Sequence, residues 1–216
     1  MRKTEMIIDM ASQFAKDELG NDASGHDWWH VYRVTELAKR MALEEDADIF
    51  ICTLSALLHD VADEKLNDSE EAGLKKVQNW LQENSVDQKD ISHVIEIIST
   101  MSFKGGERPP MTTLEGKVVQ DADRLDAIGA IGIARTFAYS GVKGSIMHDP
   151  NAAPRTKINQ EEYRKTQATP INHFYEKLFK LKDLMNTESA KKIADERHQY
   201  MKEFVDRFYL EWDGKK

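Results

Sequence analysis

Strand-like alternation, internal repeats and long apolar runs are all missing from this chain of 216 residues. There is one cysteine, Cys52, so an internal disulfide framework and a thiolate-rich metal site are both excluded. Its apolar surroundings predict a buried structural thiol. The longest mostly apolar stretch, Ile49 to Leu58, is too short to cross a bilayer and reads as a core helix. Met1 to Ala11 is charged throughout, with no apolar core for a signal peptide. These two absences predict no membrane partner and a cytoplasmic location. Basic excess is missing too, since 30 Lys and Arg against 38 Asp and Glu give a net charge of −8. That balance argues against nucleic acid as a partner, because a polyanion needs a basic face. An acidic chain can still take phosphates where a metal or a local Lys/Arg cluster reverses the field.

What is there suits a helical core. Hydrophobic residues make up 40% and charged residues 31%, enough apolar material for one packed interior. Five prolines and eleven glycines gather in a few places and leave long segments rich in Ala, Leu, Lys and Glu. The periodicity predicts helices over 3–19, 28–45, 48–60, 69–83, 87–101, 112–138, 160–166, 170–185 and 187–211. Asp48, Thr113 and Thr187 are expected caps, and Thr169 with Pro170 reads as a cap followed by proline at the first helical position. No linker divides the chain, so the expectation is a single all-α domain over 1–216. Two loops interrupt it: Phe103 to Pro110, with two bases and two glycines, and Ser140 to Gln160. Loops as long as the second serve either as lids or as surface excursions, and the residues leave both open.

The informative residues are polar side chains on apolar faces. On the second helix the stripe Val34, Leu37, Met41 steps back one turn to His30. On the third, Ile51, Leu54 and Leu58 run directly into His59 and Asp60. On the sixth, Asp121 lies three residues after Val118 and four before Leu125, so it points inward, where an unpaired carboxylate costs several kcal/mol. Singly, His30 could be a satisfied core histidine, and Asp121 could pair with Arg124 or a backbone group. One divalent cation held by His30, His59, Asp60 and Asp121 accounts for all of them together. Mixed imidazole and carboxylate ligands suit Mn²⁺ first, with Mg²⁺, Co²⁺, Fe²⁺ and Ni²⁺ as alternatives.

The segments His30-x-x-x-Val34, Leu-Leu-His59-Asp60 and Gln-Asp121-Ala-Asp-Arg-Leu-Asp126 together resemble the HD-domain metal-dependent phosphohydrolase superfamily. Three stretches carry a finer likeness: Gly-His26-Asp-Trp-Trp-His30-Val-Tyr-Arg33-Val, the run from Gln120 through Gly129 and Gly132 to Arg135, and Ile-Asn-His173-Phe-Tyr-Glu-Lys177-Leu. They are similar to the YpgQ/YedJ-like branch. The resemblance implies a compact multi-helix fold with the metal in its helical core. It also implies hydrolysis of nucleoside triphosphates to monophosphate and pyrophosphate. It carries the ligand role to His30 and leaves His26 at the helix entrance as a substrate residue or a local cap. By the same resemblance, a carboxylate just past the His-Asp pair handles the water's proton, and Asp63 and Glu64 are the candidates.

Phosphate binding needs cations, and Lys65, Lys104, Arg108 and Arg124 lie in or beside these segments. Asp126 either orients Arg124 or contacts a ribose hydroxyl. Gly129 and Gly132 follow no strand, so they are read as close-packing positions and not as a dinucleotide fingerprint. His93 sits four before Ile97 with no added histidine beside it, which favours one metal. The rival functions are a phosphomonoesterase on the same fold and a non-catalytic nucleotide-sensing module. The outer faces of the terminal helices leave room for a homodimer, although no heptad is sustained.

Overall fold

The computed structural model describes residues 3–20, 27–63, 66–101, 110–155 and 169–216. The described residues form nine α-helices, with no strand among them, and the all-α expectation holds. The chain divides into two compact units, Met1–Asp123 and Arg124–Lys216, and the division falls within the sixth helix.

The first unit is built around α3 (Ile49–Leu58), whose residues Ile51 to Leu58 are all buried. A helix apolar on every side must be covered on every side. α1 (Lys3–Leu19), α2 (Trp28–Glu44) and α5 (Gln88–Met101) supply that cover. Asp48 caps α3 as expected, its carboxylate accepting from the Phe50 and Ile51 amides at 2.9 and 3.2 Å. After Leu58 the chain turns at His59 and tightens into a 3₁₀ turn over Asp60–Ala62. α4 (Glu70–Glu83) packs directly against that turn at Gly73, where a Cβ atom would lie 2.3 Å from the Ala62 carbonyl oxygen. Thr113 caps α6 (Leu114–Asp126), its hydroxyl accepting from the Gly116 amide at 3.1 Å.

In the second unit the predicted single helix over 112–138 is corrected to two. α6 ends at Asp126, and α7 (Gly129–Val142) starts afresh. Gly129 has φ +76°, a left-handed conformation that an L side chain rarely adopts, and that residue breaks the periodic stretch. Gly132 lies hard against the backbone of the same turn, with the Ala127 carbonyl oxygen 2.3 Å from where its Cβ would be. The predicted helix over 170–185 is also shorter: α8 (Pro170–Glu176) gives way to a 3₁₀ stretch over Leu178–Leu184. Thr169 and Thr187 cap α8 and α9 (Glu188–Trp212), accepting from the Asn172 and Ala190 amides. The predicted helix over 160–166 lies outside the described residues.

The described part of the long loop, up to Arg155, is tied to α8. Arg155 donates to both carboxylate oxygens of Glu176, at 2.9 and 2.6 Å, and the Glu176 side chain is 1% exposed. Asn172 donates to the Ala152 carbonyl at 2.9 Å. His148 sits with its ring edge-on to Tyr209 and Trp212 of α9, at centroid distances of 5.4 and 5.0 Å. It is therefore a half-buried loop residue packed on that helix.

Candidate metal centre

Three of the four expected ligands come together in the first unit. His30, His59 and Asp60 each offer a ligand atom, and these atoms lie within 4.8 Å of one another. Among the described residues this is the one such group of three or more. His30 is held by the start of α2, where the Asp27 carboxylate accepts from its backbone amide at 2.8 Å. The α2 stripe then buries the imidazole beside α3. His59 and Asp60 are placed by the switch from α-helix to 3₁₀ turn. The two imidazole rings meet at 71° with centroids 5.4 Å apart.

Asp60 stands between the two rings, with Oδ1 3.3 Å from His59 Nε2 and Oδ2 3.5 Å from His30 Nε2. The tautomer of His59 follows from its other nitrogen, which lies 2.7 Å from the Ala56 carbonyl oxygen. A carbonyl only accepts, so Nδ1 carries the proton and Nε2 presents a lone pair. That Nε2 is buried and has no hydrogen-bond partner. A lone pair facing a carboxylate oxygen at 3.3 Å, away from water, is satisfied by a cation between them. The donor set therefore fits a divalent ion, and the Nδ1–carbonyl bond is the outer contact that such ligands use to fix their orientation.

Two carboxylates of the sixth helix stand differently toward this group. Asp121 is fully buried and stands outside the group of three. Asp123, which the sequence reading assigned no ligand role, places Oδ1 3.4 Å from His30 Nε2, with a side chain 37% exposed. Burial works to raise the Asp123 pKa, but the hydrogen bond with His30 outweighs it and holds the carboxyl below its usual range. The stripe argument finds the carboxylate that faces the core. A carboxylate at the rim, two residues on, approaches His30.

Asp63 closes the 3₁₀ turn, its amide donating to the Asp60 carbonyl at 3.1 Å. Asn67 straps the turn from outside, its side-chain amide donating to the carbonyls of Val61 and Asp63 at 2.9 Å each. No sequence signal marked Asn67, because an asparagine in a polar turn looks like any other. Glu64, Lys65, His26, Lys104 and Arg108 lie outside the described residues. Arg124 donates to the Leu184 carbonyl, and Asp126 is 1% exposed with its carboxylate on Arg135. His93 faces Glu115 at 3.6 Å. Burial and the nearby Glu115 and Asp48 carboxylates push the Cys52 thiol up to about 12, so it is an inert core thiol as expected.

Comparison with known proteins agrees with this geometry. The HD-domain family model matches residues 28–128, which span both histidines, the His-Asp pair and the α6 carboxylates. The chain is 42% identical over 189 residues to a Bacillus subtilis protein, YpgQ, covering 87% of this chain and 84% of that one. Two solved structures are similar along nearly the whole length. An HD-superfamily hydrolase from Bacillus thuringiensis is 49% identical with a TM-score of 0.80, covering 97% and 98% of the two chains. Bacillus subtilis YpgQ in complex with ADP is 36% identical in the structural alignment, with a TM-score of 0.76 over 94% and 97%. With the ligand cluster in place and these relatives along its length, the chain belongs to the HD-domain superfamily of hydrolases.

Proposed function

We propose that the chain hydrolyses nucleoside triphosphates to nucleoside monophosphate and pyrophosphate. The observation that carries the reading is the buried His59 Nε2 lone pair, aimed at Asp60 beside His30 with no protein donor to meet it. The nucleotide assignment is supported by the ADP complex of YpgQ and by the sequence likeness to that branch.

His30, His59 and Asp60 would hold a single divalent ion, Mn²⁺ being the first choice, with an α6 carboxylate completing the set. Asp121 is the carboxylate expected from the sequence. The approach of Asp123 to His30 favours Asp123. When bound, such an ion supplies Lewis acidity toward a phosphate oxygen and lowers the pKa of water to near neutrality. The residues do the rest. Asp63, set by the 3₁₀ turn and pinned by Asn67, accepts a proton from the attacking water. The water oxygen bonds to the α-phosphorus, the bridging P–O bond breaks, and pyrophosphate leaves with the electron pair. Glu64 is the second candidate for the proton transfer. Lys65, Lys104, Arg108 and Arg124 stabilise the triphosphate charge, and His26 takes a substrate-positioning role, while Asp126, expected to serve Arg124 or a ribose, is buried on Arg135 instead.

The test is ³¹P NMR of metal-stripped protein with added Mn²⁺ and a panel of nucleoside mono- and triphosphates. Metal-dependent pyrophosphate beside new monophosphate is the expected result. Orthophosphate would replace the reading with a phosphomonoesterase, and nucleotide binding without turnover would replace it with a sensing module.

A further inference from the structure

The face of α2 beside His30 holds a second feature that the metal centre leaves unused. Successive helical residues are rotated by about 100°, so the buried residues Val31, Val34, Thr35, Ala38, Met41 and Ala42 fill one arc of the helix. His30 stands at the edge of that arc. Within the first turn of α2, the positions round toward solvent are Arg33, about 60° from His30, and Trp29, about 100° from it. Trp29 is 60% exposed, the most exposed aromatic side chain among the described residues. The indole stands in water one residue from a buried ligand and beside Tyr32, itself 45% exposed, so the two rings form an aromatic patch and not a lone exposed side chain. Tyr32, one turn on, meets it edge-to-face at 5.9 Å and 82° and braces the ring.

We infer that Trp29 is the platform on which the substrate's base stacks. The inference rests on the proposed nucleotide reading and adds the residue that recognises the base. With side chains of similar reach on a helix, a 100° separation puts the indole about 10 Å from the His30 ring tip. That is the scale of a nucleotide stretched from a phosphate at the centre to its base. Arg33 lies between the two directions, half-buried, on the line the sugar and phosphates would take. An indole stacks on any base through its π face, with larger overlap for purines. The platform therefore favours purine over pyrimidine nucleotides without reading hydrogen-bonding edges.

The test is calorimetric titration of Mn²⁺-loaded protein with α,β-methylene-ATP and, separately, with inorganic tripolyphosphate. Trp29→Ala is expected to weaken the nucleotide analogue about five- to a hundredfold while leaving tripolyphosphate affinity within about twofold. Trp29→Phe is expected to restore most of the loss. Equal nucleotide affinity in wild type and Trp29→Ala would overturn the platform and leave the nucleotide reading standing. Parallel loss of both ligands would also overturn it, since the residue would then act on the phosphate site. A wild-type protein that binds tripolyphosphate as tightly as the analogue recognises no base, which overturns the platform directly. Wild-type protein that binds neither ligand would overturn the nucleotide reading itself.

Discussion

Gly73 is not one of the metal ligands, yet substituting it should disable them. It sits inside α4 with its Cα against the 3₁₀ turn that carries Asp60. A Cβ at Gly73 would lie 2.3 Å from the Ala62 carbonyl oxygen, 2.8 Å from its carbon and 2.9 Å from its Cα. All three are backbone atoms, so no side-chain rotation relieves the clash. Ordinary contact begins at 3.4 Å, so the turn or α4 must give way by roughly 1 Å. The turn is short and tied, since the Asp63 amide donates to Asp60 and Asn67 grips Val61 and Asp63. A displacement of that size therefore moves Asp60, and a ligand set tolerates only about 0.5 Å.

The sign of the stability change makes the test sharp. In an exposed helix interior Gly→Ala stabilises by about 0.5–1 kcal/mol, whereas overpacking a tight contact costs about 1–3 kcal/mol. Gly73→Ala is expected to lower the melting temperature of the apo protein and weaken Mn²⁺ binding at least tenfold by calorimetry. It should also shrink the rise in melting temperature that saturating Mn²⁺ gives wild type. A variant that melts higher than wild type and binds Mn²⁺ as tightly would refute the argument that α4 backs the ligand turn.

Three further predictions follow from other contacts. Burial, with Lys177 and Arg155 nearby, lowers His173 from 6.5 to about 4, so its neutral form belongs to the folded state. Unfolded chains take up that proton as pH falls below 6.5, so stability declines from pH 6.5 to about 4, by about 3 kcal/mol at most. Comparing denaturant unfolding of wild type and His173→Gln over that range should show a shallower decline in the variant; parallel curves would contradict it. Asp63→Asn should lower kcat by about 10² to 10⁴-fold while calorimetric Mn²⁺ affinity stays near wild type, because the proton acceptor is lost and the ligands are not. Full activity in Asp63→Asn would move that role to Glu64. Metal analysis of Asp121→Asn and Asp123→Asn separates the two α6 carboxylates. The approach to His30 predicts the larger loss for Asp123→Asn, and the reverse order would return the ligand role to Asp121.

The residues legible in the sequence were those whose position follows from local periodicity. His30, His59 and Asp60 each lie in register with an apolar stripe, and the helices carry them to one place. Asp48, Thr113, Thr169 and Thr187 cap helices as read, because a cap is a contact over two or three residues. Asp121 is buried as the stripe predicts, while the approach of Asp123 to His30 lies off the stripe and depends on the folded backbone, which periodicity does not report. The helix break at Gly129 was missed because apolar periodicity continues across it, while the φ of +76° is a backbone property that a glycine permits without announcing. The tether of the long loop was hidden for a different reason. Arg155 and Glu176 are 21 residues apart, as are the ends of many unconnected pairs, and only the folded chain brings them together.

The central claim is that His30, His59 and Asp60 form the heart of one cation site. Calorimetric titration of metal-stripped protein with Mn²⁺, in wild type and in His59→Ala and Asp60→Asn, tests it most directly. The account predicts one ion per wild-type chain and loss of that binding in both variants, with helical circular dichroism retained. Stoichiometric binding of wild-type strength in either folded variant would contradict it.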